Sequence, residues 1–247
     1  MKTQRKPESA PNFIAGVRLN RDRVEHWDRF PFLLPAVRHI EALRFETPVT
    51  ILAGENGSGK STILESIAVL AGFGSGGGSK GHTVAADDDL ELSDALSLVR
   101  NDRREKDGYF LRAENFLNVA KDIPLEYRKF YGGDLARVSH GESFMALVTR
   151  RFGDRSNLNL FFMDEPESAL SPSKQLEMLI RMKTLVDAGS QFIVATHSPI
   201  LMAYPGATIY WLSEQGIERT AWEQTDHYMI TKRMLQERDG MFKWLGF

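Results

Sequence analysis

Between Gly54 and Ser61 the chain reads Gly-Glu-Asn-Gly-Ser-Gly-Lys-Ser, which matches G-x-x-x-x-G-K-[ST] at every fixed position. Residue types at this spacing suit a triphosphate. Glycines let the backbone turn tightly enough for successive N–H groups to face one anion. Lys60 reaches the β- and γ-phosphates, and the Ser61 hydroxyl joins the oxygen shell of a bound Mg²⁺. Gly54, Glu55, Asn56, Gly57, Ser58, Gly59, Lys60, Ser61 and Thr62 therefore form the expected nucleotide-binding segment. A turn that merely happened to contain Lys-Ser would not need a strand before it and a helix after it.

Two further segments carry chemistry. Leu160-Phe-Phe-Met163 is wholly apolar and runs into Asp164-Glu165. At the tip of a buried strand the first acid holds Mg²⁺, and the second orients and deprotonates an attacking water. Without the phosphate loop upstream, the same pattern would read equally well as a strand ending in a polar turn. His197 closes another apolar run, Ile193-Val-Ala-Thr196-His197-Ser198-Pro199, at the end of a strand where open α/β sheets bind ligands. There it is placed to hydrogen-bond the γ-phosphate or the water. In Val138-Ser139-His140-Gly141-Glu142, Ser139 and Glu142 match a capping box. A capped helix N-terminus beside Gly141 is also an anion site, and the two readings are compatible.

These groups need elements to hold them. Val49, Ile51 and Ala53 alternate as a strand, while Ile63, Leu64, Ile67, Ala68 and Ala71 repeat as a buried helical face capped by Gly72. Further strands are expected at 13–19, 39–45, 109–112, 160–163, 192–196 and 209–212. A hairpin turn is expected at 213–216. Ser171 and Pro172 start a helix through Val186, and Asp226 caps a terminal one. Residues 72–81, GFGSGGGSKG, read as a flexible connector or a mobile segment over the nucleotide. Leu90, Leu92, Leu96 and Val99 within 85–104 suggest a surface helix, and a further helix follows Ser139. Alternating strands and helices give an α/β fold with a mostly parallel sheet and flanking helices. Strands ahead of the phosphate loop add an N-terminal antiparallel β layer.

At 247 residues the chain is long enough for one large-cored domain over 13–247, preceded by a polar tail at 1–12 that is expected to be disordered. A net charge of −2 neither advertises nor excludes nucleic acid. Arginine and lysine clusters such as Arg18, Arg21 and Arg23 are mostly interleaved with acids, as on an ordinary solvated surface. No cysteine is present, which removes disulfides, thiol catalysis and Cys-based zinc sites and agrees with a cytoplasmic protein. No apolar run approaches the ~18 residues of a membrane span, so direct membrane insertion is not expected.

Taken together, the motifs resemble the ATP-binding-cassette (ABC) ATPase family over roughly Thr47 to Ser198. GENGSGKS looks like its Walker A motif, LFFMDE its Walker B, SHGES its LSGGQ-type signature and His197 its switch histidine. The branch that fits best is similar to the SMC, RecF and overcoming-lysogenization-defect type proteins, grouped with AAA-family ATPases. The resemblance implies a P-loop NTPase fold with a lid or small helical subdomain over roughly 73–150. It also implies ATP and Mg²⁺ as cofactors, with Lys60, Glu165 and His197 catalytic and Ser61 and Asp164 on the metal. Two copies would pair head to tail around ATP, bringing Ser139 and Gly141 of one to the phosphates held by the other. Some positions depart from the family pattern. His140 replaces the first signature glycine, Glu142 the usual Gln, and Ser171 the usual Asp of the D-loop. Glu114 stands about where a Mg²⁺-sensing glutamine is usual; an ion pair with Arg112 is the other reading of it. Phe30 and Phe32 are the weakly indicated partners for adenine.

The function expected from this is Mg²⁺-dependent ATP hydrolysis by an ATP-dimerising switch, acting with nucleic acid or an effector protein in a DNA-related or phage-defence process. The motor subunit of an ABC transporter is the alternative. A non-hydrolysing nucleotide sensor would not need both Asp164 and Glu165, and a small-molecule kinase would need neither the signature-like segment nor His197.

Overall fold

Apolar runs at 49–54, 159–164 and 191–195 become fully buried strands because helices cover both faces of the sheet they form. The computed structural model describes residues 12–80, 91–114, 145–146 and 158–247. In chain order the elements begin with β1 (Ile14–Leu19), α1 (Pro35–Arg38), β2 (Ala42–Arg44), β3 (Val49–Gly54) and α2 (Lys60–Leu70). Then come β4 (Gly78–Ser79), α3 (Glu91–Ala95), β5 (Leu96–Arg100), β6 (Asp107–Arg112), β7 (Asn159–Asp164) and α4 (Pro172–Asp187). The chain closes with β8 (Gln191–Ala195), α5 (Pro199–Met202), β9 (Thr208–Ser213), β10 (Gly216–Thr220), α6 (Asp226–Gln236) and α7 (Arg238–Trp244).

The central sheet runs β10-β9-β3-β8-β7-β6-β4. Its five inner strands are mutually parallel, and the edge strands β10 and β4 are antiparallel to their neighbours. Period-two alternation sorts each strand between two cores. Leu160 and Phe162 of β7 face the side covered by Ile63, Leu64, Ile67 and Ala68 of α2. Phe161 and Met163 face the side covered by Met178, Met182 and Leu185 of α4. The second sheet, β2-β1-β5, is antiparallel throughout, as expected of the β layer, although its third strand comes from beyond the phosphate loop.

Two side chains tie the sheets together: Tyr210 of β9, whose hydroxyl accepts from the Arg44 N–H and donates to the Arg44 carbonyl of β2 at 2.9 Å each, and Gln191 of β8. Gln191, buried at the start of β8, accepts from the N–H groups of Phe13 and Ile14 at 3.0 Å each and donates to the Ile14 carbonyl at 2.8 Å. Gln191→Leu would keep the volume and orphan three buried backbone groups at about 1–3 kcal/mol each. We expect it to lower stability by about 3–5 kcal/mol in a urea titration.

Three local expectations change. The glycine-rich stretch after α2 is packed, not free: residues 73–77 are buried and β4 pairs with β6. Gly77 shows why. At φ +91° a Cβ there would stand 2.9 Å from the Phe110 carbonyl oxygen, so glycine is what lets the chain lie against β6. The surface helix suggested by Leu92, Leu96 and Val99 is helical only through Ala95; Leu96–Arg100 pairs with β1, because an edge of the small sheet outweighs a weak helical period. The terminal helix α6 is capped by Thr225, whose Oγ1 accepts from the Tyr228 N–H at 3.3 Å, with Asp226 as its first residue. Residues 73–112 thus supply strands to both sheets. The remainder of the expected subdomain, including Ser139, His140, Gly141 and Glu142, lies outside the described residues apart from 113–114 and 145–146. So do residues 1–11 of the expected tail.

Candidate active site

Parallel pairing brings the three chemical segments to one end of the sheet. In the order β3-β8-β7, the phosphate loop leaves β3, His197 follows β8, and Asp164 and Glu165 end β7. All lie at the carboxyl ends of adjacent strands, where open α/β sheets hold ligands. The loop turns through Gly59 at φ +97°, which N-caps α2 and leaves the first-turn amides of Lys60, Ser61 and Thr62 without helical partners. With the positive end of the helix dipole behind them, these amides form an anion site. Asn56, Gly57, Gly59, Lys60, Ser61 and Thr62 line a cavity of about 160 Å³ that Phe30, Leu34 and Glu165 complete. Gly54 ends β3 below it, and the Ser58 N–H closes the turn onto the Glu55 carbonyl at 3.3 Å. Lys60 donates to that same carbonyl at 3.0 Å. Of the two aromatic candidates, Phe30 is exposed at the cavity rim while Phe32 is buried in the core against Trp27.

Ser61 Oγ donates to Asp164 Oδ1 at 2.8 Å. Two hard oxygens at that separation fit one edge of the octahedron that Mg²⁺ demands, whose bonds of about 2.0–2.1 Å give an edge of about 2.9 Å. Among the described residues no group of three His, Cys, Asp or Glu side chains could hold a metal by itself. Burial raises the Asp164 carboxyl to about 6, against the pull of the Ser61 hydrogen bond and the Arg112 charge. Lys60 is lowered by burial, with Glu165 and Asp164 opposing the shift.

Glu165 has a left-handed backbone, φ +46°, the one non-glycine residue with positive φ among those described. This conformation costs about 1–3 kcal/mol and persists only where surroundings impose it. Here its N–H donates to the Ala195 carbonyl at 2.9 Å, and its carbonyl accepts from the Ser168 N–H at 3.0 Å and Ser168 Oγ at 2.9 Å. The turn aims the carboxylate at the cavity and at His197, whose Nε2 stands 3.1 Å from Glu165 Oε1. The His197 backbone N–H donates to Glu167 Oε1 at 2.5 Å, and its Nδ1 lies 3.3 Å from Nε2 of His227.

Glu114 is held elsewhere. Its carboxylate pairs with Arg112 at 2.5 Å and is largely exposed, which is the ion-pair reading of this residue. Arg112 also bonds Glu65 at 3.1 Å and approaches Asp164 Oδ2 at 3.8 Å. Ser171, at the D-loop position, N-caps α4 by accepting from the Lys174 N–H at 3.4 Å. Glu167 and His227 escape a motif reading. Glu167 follows the acid pair by two residues and could have been suspected; His227 sits 30 residues past His197 on another element, with no local signal.

A phosphate loop, a strand-end acid pair and a strand-end histidine on adjacent parallel strands define a P-loop ATPase. Residues 31–190 match the AAA-domain family, and the chain belongs to that family. It is 25% identical over 199 residues to an uncharacterized ABC transporter ATP-binding protein of Haemophilus influenzae, covering 72% of this chain and 75% of that one. The SMC head domain from Thermotoga maritima superposes with a TM-score of 0.45 at 15% identity, covering 73% of this chain and 93% of that one. CbiO1 from Clostridium perfringens, part of the ABC transporter complex cbiONQ, gives 0.47 at 14% identity, covering 83% and 90%. Among the described residues no helix is long and apolar enough to cross a membrane.

Proposed function

We propose that this ATPase binds Mg²⁺-ATP on the Gly54–Thr62 loop and hydrolyses it with Glu165 as general base, in an ATP-bridged pair of identical chains. The observation that carries the reading is that Lys60, Ser61 and Glu165 line one cavity, with Asp164 bonded to Ser61 and His197 to Glu165 behind them. The loop amides and the Lys60 ammonium hold the β- and γ-phosphate oxygens. Ser61 and Asp164 hold Mg²⁺, which when bound offsets charge on those oxygens. Glu165 accepts a proton from water as its oxygen attacks the γ-phosphorus. The bond from that phosphorus to the β–γ bridging oxygen breaks and ADP leaves, and His197 donates a hydrogen bond to the γ-phosphate oxygens.

In the pairing proposed, Ser139 and Gly141 of a partner copy would close over the phosphates held by Lys60 and the loop amides. Purified protein with ATP and Mg²⁺ should release phosphate and shift toward a dimer on gel filtration. No phosphate release and no heat on titrating ATP would refute the assignment.

The work done by hydrolysis is proposed to lie with a DNA-related or phage-defence partner. A DNA-binding titration tests this: affinity at low salt should fall steeply as salt rises, and no binding at low salt removes the nucleic-acid role. The Haemophilus influenzae relative, whose name assigns it to an ABC transporter, favours a second reading as the motor subunit of such a transporter. Co-purification with an integral membrane protein would select it.

A further inference from the structure

His197 is gripped at three points, by Glu165 at Nε2, by Glu167 at its backbone N–H, and by His227 at Nδ1. The third contact lies outside the motifs read from the sequence. His227 stands in the first turn of α6, with its ring 5.4 Å from that of His197 and tilted by 49°. Trp211 of β9 meets it edge-on, also at 5.4 Å. Ahead of α6, Trp222 Nε1 donates to the Pro199 carbonyl at 2.9 Å, and Pro199 follows His197 by two residues. The segment bearing His227 is thus tied to the loop bearing His197.

Hydrogen-bond bookkeeping along this chain favours one polarity. A carboxylate only accepts, so His197 carries a proton on Nε2 to meet Glu165. Nδ1 is then free to accept, and His227 donates to it from Nε2. His227 Nδ1 is left as a bare acceptor, and that atom is buried with no hydrogen-bond partner among the described residues. The opposite polarity would bury an unpaired N–H, which proteins tolerate less than an unpaired acceptor. Burial lowers the His227 pKa, which agrees with a neutral ring there.

We propose that His227 is a positioning residue for hydrolysis: its Nε2–H fixes the His197 tautomer and ring angle that present a proton to the Glu165 carboxylate and the reacting γ-phosphate. This rests on the catalytic reading of Glu165 and His197 given above. Replacing His227 by Phe preserves ring packing and removes the donor, whereas Gln places an amide N–H₂ near the former Nε2. The test compares steady-state ATP hydrolysis by full-length His227→Phe, His227→Gln and His197→Ala, with melting temperatures and imidazole ¹⁵N NMR of His197.

For His227→Phe we expect kcat to fall tenfold or more with KM for ATP unchanged, and the His197 ring to show mixed tautomers. His227→Gln should stay within about threefold of wild type and retain the Nε2–H form. Wild-type kcat in a folded His227→Phe overturns the proposal. So does a His227→Gln that melts normally yet falls tenfold or more below wild type; this arm stands even if the Phe variant does not fold. Full activity of His197→Ala would instead overturn the underlying site reading, and the proposal with it.

Discussion

Glu165→Gln should retain ATP binding and lose about 10²–10⁴-fold in kcat, the contribution expected of a general base. The structure makes this a clean test because the backbone of Glu165 is held independently of its side chain. The left-handed turn is fixed by main-chain bonds to Ala195 and Ser168, and the Ser168 hydroxyl adds another. Glutamine leaves these bonds intact, keeps nearly the same volume, and can still accept from His197 through its amide oxygen. What it cannot do is take a proton from water. Because ATP would then persist, the pair of chains bridged by it should accumulate, and gel filtration with Mg²⁺-ATP should show this variant as a dimer. Turnover at the wild-type rate would assign the proton to another group; a persistent monomer would refute the pairing.

Asp164→Asn should make the ligand-free protein more stable while reducing Mg²⁺-dependent hydrolysis at least 100-fold, the second effect following from loss of a charged ligand to the ion. Stability follows from linkage. The carboxyl titrates near 3.8 when free and about 6 in the fold, chiefly because it is buried. The folded form therefore holds this proton more tightly than the unfolded chain. The resulting stabilisation is fully present below about pH 4 and is lost as pH rises through 6. Above that, the fold carries a buried anion at a cost of about 3 kcal/mol. Asparagine removes the charge and can still accept from Ser61. At pH 7.5 the variant should gain about 2–3 kcal/mol in urea unfolding, with the gain shrinking below pH 6 and gone below pH 4. Equal stability of the two proteins at pH 7.5 would show that Asp164 is not held as a strained anion.

The parts of the site that were legible in the sequence are those in which chemistry and local structure share one contiguous run. Gly54–Ser61 needs its residues at fixed offsets, and the apolar strands at 160–163 and 192–196 mark their own ends with Asp164 and His197. The sheet followed, since buried parallel strands read as unbroken apolar runs. What stayed hidden depends on contacts between distant segments. A run of glycines has the same composition whether it swings freely or lies against Phe110, and only the position of β6 distinguishes the two. Leu92, Leu96 and Val99 fit a helical period, yet the strand outcome at 96–100 was decided by an unpaired edge of β1, some 80 residues earlier. Arg112 was visible as a neighbour of Glu114, but its approach to Asp164 and its bond to Glu65 require β6 to lie beside β7 and α2. His227 is the extreme case, because its partner belongs to a different strand end.

The Gln191 amide has a mechanical consequence. It stands at one end of β8, and His197 emerges from the other, so a stiff rod of five residues connects the outer sheet to the reaction centre. With the Tyr210 hydroxyl holding Arg44 farther along the seam, the outer sheet is anchored at two separate strands, so a load applied to it is passed to β8 and β9 together.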